Sequence, residues 1–183
     1  MDTTGNTVTP CSTQANCATA GTLGVENTCI AVPANSTFSI DVTVNSVPSG
    51  GTAGGGFDLL FNSAVISATS KNNDNTHSLW NAAASSLLQD FSINAASANS
   101  GNDWRIDLID LDGTVFESGP GALVRITFTA GANAGVSSLT LDDLVGGDGT
   151  PDVFNNNNST YTIGSIINGT VFVQAAPGDP GCP

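Results

Sequence analysis

"GALVRITFTAGANAGVSSLTLDDL", residues 121–144, alternates apolar and polar positions on either side of a small-residue turn. Val124, Ile126 and Phe128 fall on one face of the first run, and Leu139 and Leu141 on one face of the second. A period of two marks a strand that buries one side of a sheet. The "GANAG" between them offers the residues that turns accept. This stretch therefore reads as two strands joined by a turn, closing on Asp142 and Asp143.

The same alternation returns roughly every 10 to 20 residues along the chain. In "TFSIDVTVNSV", Phe38, Ile40, Val42 and Val44 alternate with Ser39, Asp41, Thr43 and Asn45. "GFDLLF" contributes Phe57, Leu59 and Phe61 to the inward set. "WRIDLIDL" contributes Trp104, Ile106 and Leu108 before slipping by one, as at a bulge or strand end. "NGTVFVQ" closes the series with Val171 and Val173. The Gly, Asn, Ser and Pro clusters "PSGGTAGGG", "KNNDN", "ASANSGND", "ESGPG" and "GGDGTPDVFNNNNST" read as loops. "HSLWNAAASSLLQ" (77–89) places Trp80, Ala83, Ala84, Leu87 and Leu88 near helical spacing, which predicts one short helix over a sheet end. Many short strands with little helix give an all-β chain, an antiparallel β-sandwich. Residues 1–24 read as a polar, cysteine-bearing extension, 25–174 as the sandwich and 175–183 as a Pro/Gly-rich tail.

Charge and cysteine usage narrow the setting. Lys and Arg total 3 against 16 Asp and Glu, a formal net charge of -13. Such a surface repels nucleic acid and anionic lipid. It suits surroundings in which divalent cations screen carboxylates. No apolar run approaches the roughly 20 residues that span a bilayer. "MDTTGNTVTP" lacks a basic stretch followed by an apolar one, so the chain reads as a form whose targeting signal is absent. Cys11, Cys17, Cys29 and Cys182 lie outside the strand-rich middle, with no CxxC and no neighbouring His. That placement fits disulfides in an oxidising compartment and a secreted or surface-displayed protein, with three pairings open.

Acid-base and nucleophilic groups are scarce. His77 is the sole histidine and sits in the turn-like "NNDNTHS" without a nucleophile motif beside it. Glu26 and Glu117 are far apart, leaving Asp107, Asp110 and Asp112 as the carboxylates a glycosidase would need. A sugar-lining cleft is usually rich in aromatics, and this chain is 6% aromatic, so the reading is non-catalytic. Calcium is the better-founded ligand. "DLIDLDG" supplies Asp110 and Asp112, and "DDLVGGDGTPD" supplies Asp142, Asp143, Asp148 and Asp152 around a glycine-rich bend. Hard cations take several oxygens from such flexible loops, although neither loop follows the EF-hand pattern. Asn35, Asn157, Asn158 and Asn168 each begin an Asn-x-Ser/Thr acceptor triplet for N-linked sugar.

The order of these pieces resembles the cohesin family. The resemblance is carried by "STFSIDVTVNSVPSGGTAGGGFDLLFNSAVISATS", then "GPGALVRITFTAGANAGVSSLTLDDLVGGDGT", then "INGTVFV", from Val25 to Val173, with residues 70–103 matching poorly. It implies a jelly-roll sandwich of about nine strands, secreted and non-catalytic, that binds a protein. Dockerin modules are that family's familiar partner. It also brings the first and last strands together, which favours Cys29 with Cys182 and leaves Cys11 with Cys17. The sequence departs from the family where dockerin-binding members carry polar side chains before the Phe of the "GGGFDLLF" strand, because here Gly54, Gly55 and Gly56 stand there. The same sheet is expected to display Asp58, Leu60, Arg105, Asp107, Ile109 and Thr140 as a mixed apolar and charged binding face. The expected partner is a dockerin-like module or other copies of the chain. The alternatives are a self-assembling subunit of an extracellular filament or lattice, and a carbohydrate-binding module using Trp80, Trp104 or Tyr161.

Overall fold

The computed structural model describes residues 22–25, 28–72, 88–90, 93–94, 103–110, 117–142, 152–155 and 164–183. Among the described residues the secondary structure is all-β. The strands are β1 (Thr22–Val25), β2 (Cys29–Pro33), β3 (Thr37–Leu60), β4 (Ile66–Asn72), β5 (Leu88–Asp90) and β6 (Ile93–Asn94). They continue with β7 (Asp103–Asp110), β8 (Glu117–Ala130), β9 (Gly135–Asp142), β10 (Asp152–Asn155), β11 (Ser165–Ile167) and β12 (Gly169–Gln174).

β3 runs for 24 residues and serves both layers. Its first half pairs antiparallel with β8 from Thr37↔Thr129 to Val44↔Gly121, and its second half with β7 from Gly54↔Ile109 to Leu60↔Asp103. Between the halves the register with β8 shifts at Val44/Val47 and again at Val47/Thr52. Gly51 (φ 73°) and Gly54 (φ 152°) adopt backbone angles that side-chain-bearing residues avoid. The buried Thr52 hydroxyl donates to the Gly54 carbonyl (2.9 Å) and accepts from the Gly54 amide (3.2 Å), fixing the bend. "PSGGTAGGG" is therefore bent strand, where turn composition alone predicts a loop.

β9 lies between β12 and β3. Its residues from Gly135 to Leu139 pair with β12, and Thr140 to Asp142 pair with β3. β12 runs parallel to β2 and β11 runs parallel to β1, so the first and last strands lie side by side. The result is a jelly-roll sandwich. One layer holds β4, β8, the first half of β3, β1 and β11, and the other holds β5, β6, β7, the second half of β3, β10 and β9, with β12 and β2 following β9 in order.

The alternation read from the sequence sets the core. Phe38, Ile40, Val42, Phe57, Leu59, Phe61, Val124, Ile126, Phe128, Leu139, Leu141, Val171 and Val173 are all buried in one cluster. Phe128 stacks on its cross-strand neighbour Phe38 (5.6 Å between centroids) and meets Phe61 edge-on (5.4 Å). Ile30, Val32, Val44, Val47, Ile66 and Leu123 join the same cluster. At Ile106 and Leu108 the backbone alone is described.

Two expectations change. The helix over 77–89 ends in strand: Leu88 and Gln89 belong to β5, paired with Asp110 and Ile109 of β7, and 77–87 lie outside the described residues. Asp41, placed on the polar side of its strand by alternation, is 2% exposed and faces Arg125 on β8, itself 8% exposed. Arg125 Nε donates to Asp41 Oδ1 and Arg125 Nη2 to Asp41 Oδ2, both at 2.6 Å. This two-point fork matches guanidinium to carboxylate geometry. It neutralises two charges that burial would otherwise penalise heavily.

The disulfide expected between Cys29 and Cys182 is present, with Cα atoms 5.7 Å apart across 153 residues of sequence. Cys11 and Cys17 lie outside the described residues. The tail after β12 is built to make that closure. The amides of Ala175 and Ala176 donate to Asp179 Oδ2 (2.7 and 2.6 Å), Gln174 Nε2 donates to the Asp179 carbonyl (3.2 Å), and Gly178 turns with φ 95°.

Breaking and replacing the buried fork should give opposite results. Arg125→Met alone is expected to cost about 3 to 5 kcal/mol, because Asp41 is left charged and buried, whereas Asp41→Leu with Arg125→Met should recover most of that loss. Denaturant unfolding of the two variants and the parent measures both.

Candidate protein-binding face

The second half of β3 sits between β7 on one side and β9 with β10 on the other, and the three registers align into rows. Arg105, Asp58 and Asp142 form one row, with Ile93 beyond Arg105. Asp107, Gly56 and Asp152 form the next row on the same face. Ile109, Gly54 and Phe154 form a third, and Asp103, Leu60 and Thr140 a fourth. The register positions of all six residues assigned to the binding face from sequence therefore fall in the rows of one face of one sheet.

The degree of display differs from expectation at Asp58. It is 3% exposed, while Leu60 and Thr140 are half-buried. At Arg105, Asp107 and Ile109 the backbone alone is described. Asp58 lies in the central strand, directly opposite Asp142 on one neighbour and Arg105 on the other. Two carboxylates opposed across a ladder repel, and the same row brings a cation position to the far side of Asp58. Neither Asp58 nor Asp142 is without a partner. Asp58 therefore belongs to the base of the face, and its more open positions are Leu60, Thr140 and Asp142.

Gly54, Gly55 and Gly56 are buried and hydrogen-bonded into ladders on both edges, with β7 and with β10. Glycine within a paired strand leaves a position where another group can come close to the backbone. Here the strip is flanked by register positions bearing Asp107 and Asp152.

β9 and β10 act as one interrupted strand. β9 pairs with β3 as far as Asp142↔Asp58 and β10 begins its pairing at Asp152↔Gly56, two register positions further along β3. The cluster "GGDGTPDVFNNNNST", read from composition as loop, thus contains a strand, and Asp152 opens it.

Of the two acidic loops read as separate calcium candidates, the described members Asp110 and Asp152 lie apart. Asp110 follows Ile109, which pairs with Gly54, and Asp152 pairs with Gly56, with β3 between them. At about 4.8 Å between strands and about 3.3 Å per residue their Cα atoms are about 14 Å apart. Asp112, Asp143 and Asp148 lie outside the described residues, as do Asn157 and Asn158. Among the described residues no three His, Cys, Asp or Glu side chains gather as a metal site. Register instead collects Asp58, Asp107, Asp142 and Asp152 in two adjacent rows, a grouping that sequence spacing conceals because it arises from three separate strands.

Asn168 fixes the point where β9 changes partner. Its Oδ1 accepts from the Leu141 amide at 3.0 Å, just after β9 has left β12 at Leu139↔Gly169. Ser137 anchors the same strand from its inner side, its buried hydroxyl accepting from the Asn62 amide at 2.9 Å.

No protein-family model matches the sequence, and no curated protein matches it either. Solved structures match the fold. The sixth cohesin of scaffoldin B from Acetivibrio cellulolyticus, in complex with a mutant Cel5 dockerin, is similar at a TM-score of 0.64 and 12% identity, covering 84% of this chain and 98% of that one. A type II cohesin domain from the cellulosome of Acetivibrio cellulolyticus gives 0.62 at 10% identity, covering 82% and 94%. A non-cellulosomal cohesin from the hyperthermophilic archaeon Archaeoglobus fulgidus gives 0.59 at 16% identity, covering 84% and 90%.

The role of Asn168 predicts a graded series. Asn168→Ala leaves the Leu141 amide without its acceptor and is expected to cost about 1 to 3 kcal/mol. Asn168→Asp, which keeps an acceptor oxygen at the same position, should cost less. Melting curves of the two variants rank them.

Proposed function

We propose that this chain, whose fold is that of the cohesins, is a non-catalytic extracellular or cell-surface module that attaches a protein partner through the face built on β7, the second half of β3, β9 and β10. The observation that carries this reading is the row geometry of that face. It is a three-strand surface with a glycine strip at its centre and carboxylate-bearing positions on either side. In the cohesin resemblance the "GGGFDLLF" strand is the one that meets the partner. The glycine strip removes side-chain hydrogen bonding from the centre, so contact falls to the margins, where Leu60, Thr140 and Asp142 are half-buried.

Charge specifies the partner's chemistry. With 16 acidic against 3 basic residues, the chain favours a surface rich in Lys or Arg, and electrostatic complementarity chiefly speeds encounter and excludes acidic competitors. An extracytoplasmic setting is supported by the Cys29–Cys182 bond, which persists under oxidising conditions.

Two measurements test this reading. Surface plasmon resonance of the immobilised chain against purified dockerin modules, and against the chain itself, should show binding that weakens with salt and falls at least tenfold in Thr140→Arg and Asp142→Arg. Absence of binding to both dockerins and self at high concentration removes the attachment reading. Calcium is proposed as an aid to the same face, held near Asp152 and its neighbours. Thermal melts should then show a gain of about 2.7 kcal/mol when free calcium is one hundred times its dissociation constant. That gain should disappear in Asp152→Asn, and identical melts in chelator and in millimolar calcium remove the ion from the proposal.

A further inference from the structure

Of the four Asn-x-Ser/Thr triplets, the two within the described residues both begin at an exposed asparagine, but the two carboxamides are used differently. Asn168 spends its carboxamide oxygen on the Leu141 amide at the point where β9 changes partner. Asn35 is exposed, at the third position of the turn that joins β2 to β3, where the Ser36 amide donates to the Pro33 carbonyl at 3.2 Å. Its backbone is fixed on both sides. The Asn35 amide donates to the Gly131 carbonyl at 3.1 Å, and the Ser36 hydroxyl donates to the Pro33 carbonyl at 2.6 Å. The Gly131 amide in turn donates to the Val65 carbonyl at 2.8 Å, which ties the β2–β3, β3–β4 and β8–β9 turns into one rigid end. Among the described residues no hydrogen bond engages the Asn35 carboxamide, and Thr37, two residues on, is also exposed.

Turn chemistry explains part of this. Asn35 has φ 60°, a left-handed angle that Asn and Gly tolerate best. Glycine would serve the backbone equally well, so the turn itself does not require a free carboxamide followed by an exposed hydroxyl two positions later.

We propose that Asn35 is the acceptor of an N-linked oligosaccharide and that Asn168 is not. In the transfer, Asn35 Nδ2 attacks the anomeric carbon of a lipid-diphosphate-linked oligosaccharide. The new carbon–nitrogen bond forms as the bond from that carbon to the diphosphate oxygen breaks. The lipid diphosphate leaves with the electron pair, and the proton lost from the amide nitrogen passes to a carboxylate of the transferring enzyme. Thr37 supplies the hydroxyl that such enzymes require at the third position of the triplet. The proposal shares with the proposed function only an extracytoplasmic route and needs no partner on the β3 face.

The full chain, secreted from a host that performs N-linked glycosylation, provides the test. Peptide mapping after enzymatic removal of N-linked sugar in heavy-oxygen water should find Asn35 converted to labelled aspartate and Asn168 unlabelled. Thr37→Ala should abolish the label at position 35. Asn35→Gly should abolish it too while leaving the melting temperature unchanged, since glycine accepts the same φ, and this variant separates loss of the acceptor from loss of the fold. A folded, secreted chain with no label at Asn35 overturns the proposal, and so does equal labelling of Asn35 and Asn168. Either outcome leaves the partner-binding measurements unaffected.

Discussion

The bend in β3 is the constraint on which the sandwich rests. A straight strand of 24 residues would serve one sheet, yet this one is paired to β8 and β1 at its start and to β7, β9 and β10 at its end. The change of layer is concentrated between Val44 and Gly54, where register slips against β8 and two glycines adopt positive φ. Thr52 secures the turn with both lone pair and proton. Without that local solution Phe38 and Phe57, which lie in different layers, would not meet in one core. The glycines that permit the bend run directly into the glycines of the proposed binding face, so one stretch of composition serves the bend and the glycine strip together.

Charge is distributed as unevenly as backbone geometry. Three basic residues serve the whole chain, and one of them, Arg125, is enclosed with Asp41 between β3 and β8. A second, Arg105, is in register with the buried Asp58. That leaves Lys71 as the third cation against 16 carboxylates in the chain. Burying an ion pair gains little net stability over an apolar pair of the same shape, but the fork accepts one cross-strand register only. A slip of one residue in β3 against β8 would separate Asp41 from Arg125 and bury two bare charges, while also turning Ile40 and Val42 outward.

The core was legible in the sequence because alternation is a local property. Phe38, Ile40, Val42, Leu139 and Leu141 declare their faces within a few residues of chain, and the structure buries each of them. Ile30 and Val32 sit in a five-residue strand too brief to announce itself beside Gly- and Thr-rich neighbours. The stretches read as loops that proved to be strand, such as residues 48–56 and 152–155, are rich in Gly, Pro or Asn, residues that weaken strands in isolation. Their pairing comes from distant partners, β7 and β10 for the first and β3 for the second, which composition does not reveal. Asp41 and Asp58 were assigned outward for the same reason: alternation tells inside from outside, not whether the outside of a given row is itself covered. The Cys29–Cys182 pairing followed from the family's adjacency of first and last strands rather than from the spacing of the cysteines.

That disulfide also decides how the molecule carries tension. β2 and β12 run parallel, so a pull applied at residue 28 and at residue 183 would load their ladder in shear, but Cys29 and Cys182 lie just inside those points. The force passes from one strand to the tail through a single covalent bond, and the 153-residue span between the two cysteines bears almost none of it. Segments outside the bridge behave differently. β1, held by three register pairs to β3 and three to β11, lies outside the loop that the bridge closes. A tether strung through this domain would therefore lengthen only in the segment before Cys29, because the bridge relieves the span it closes of the load.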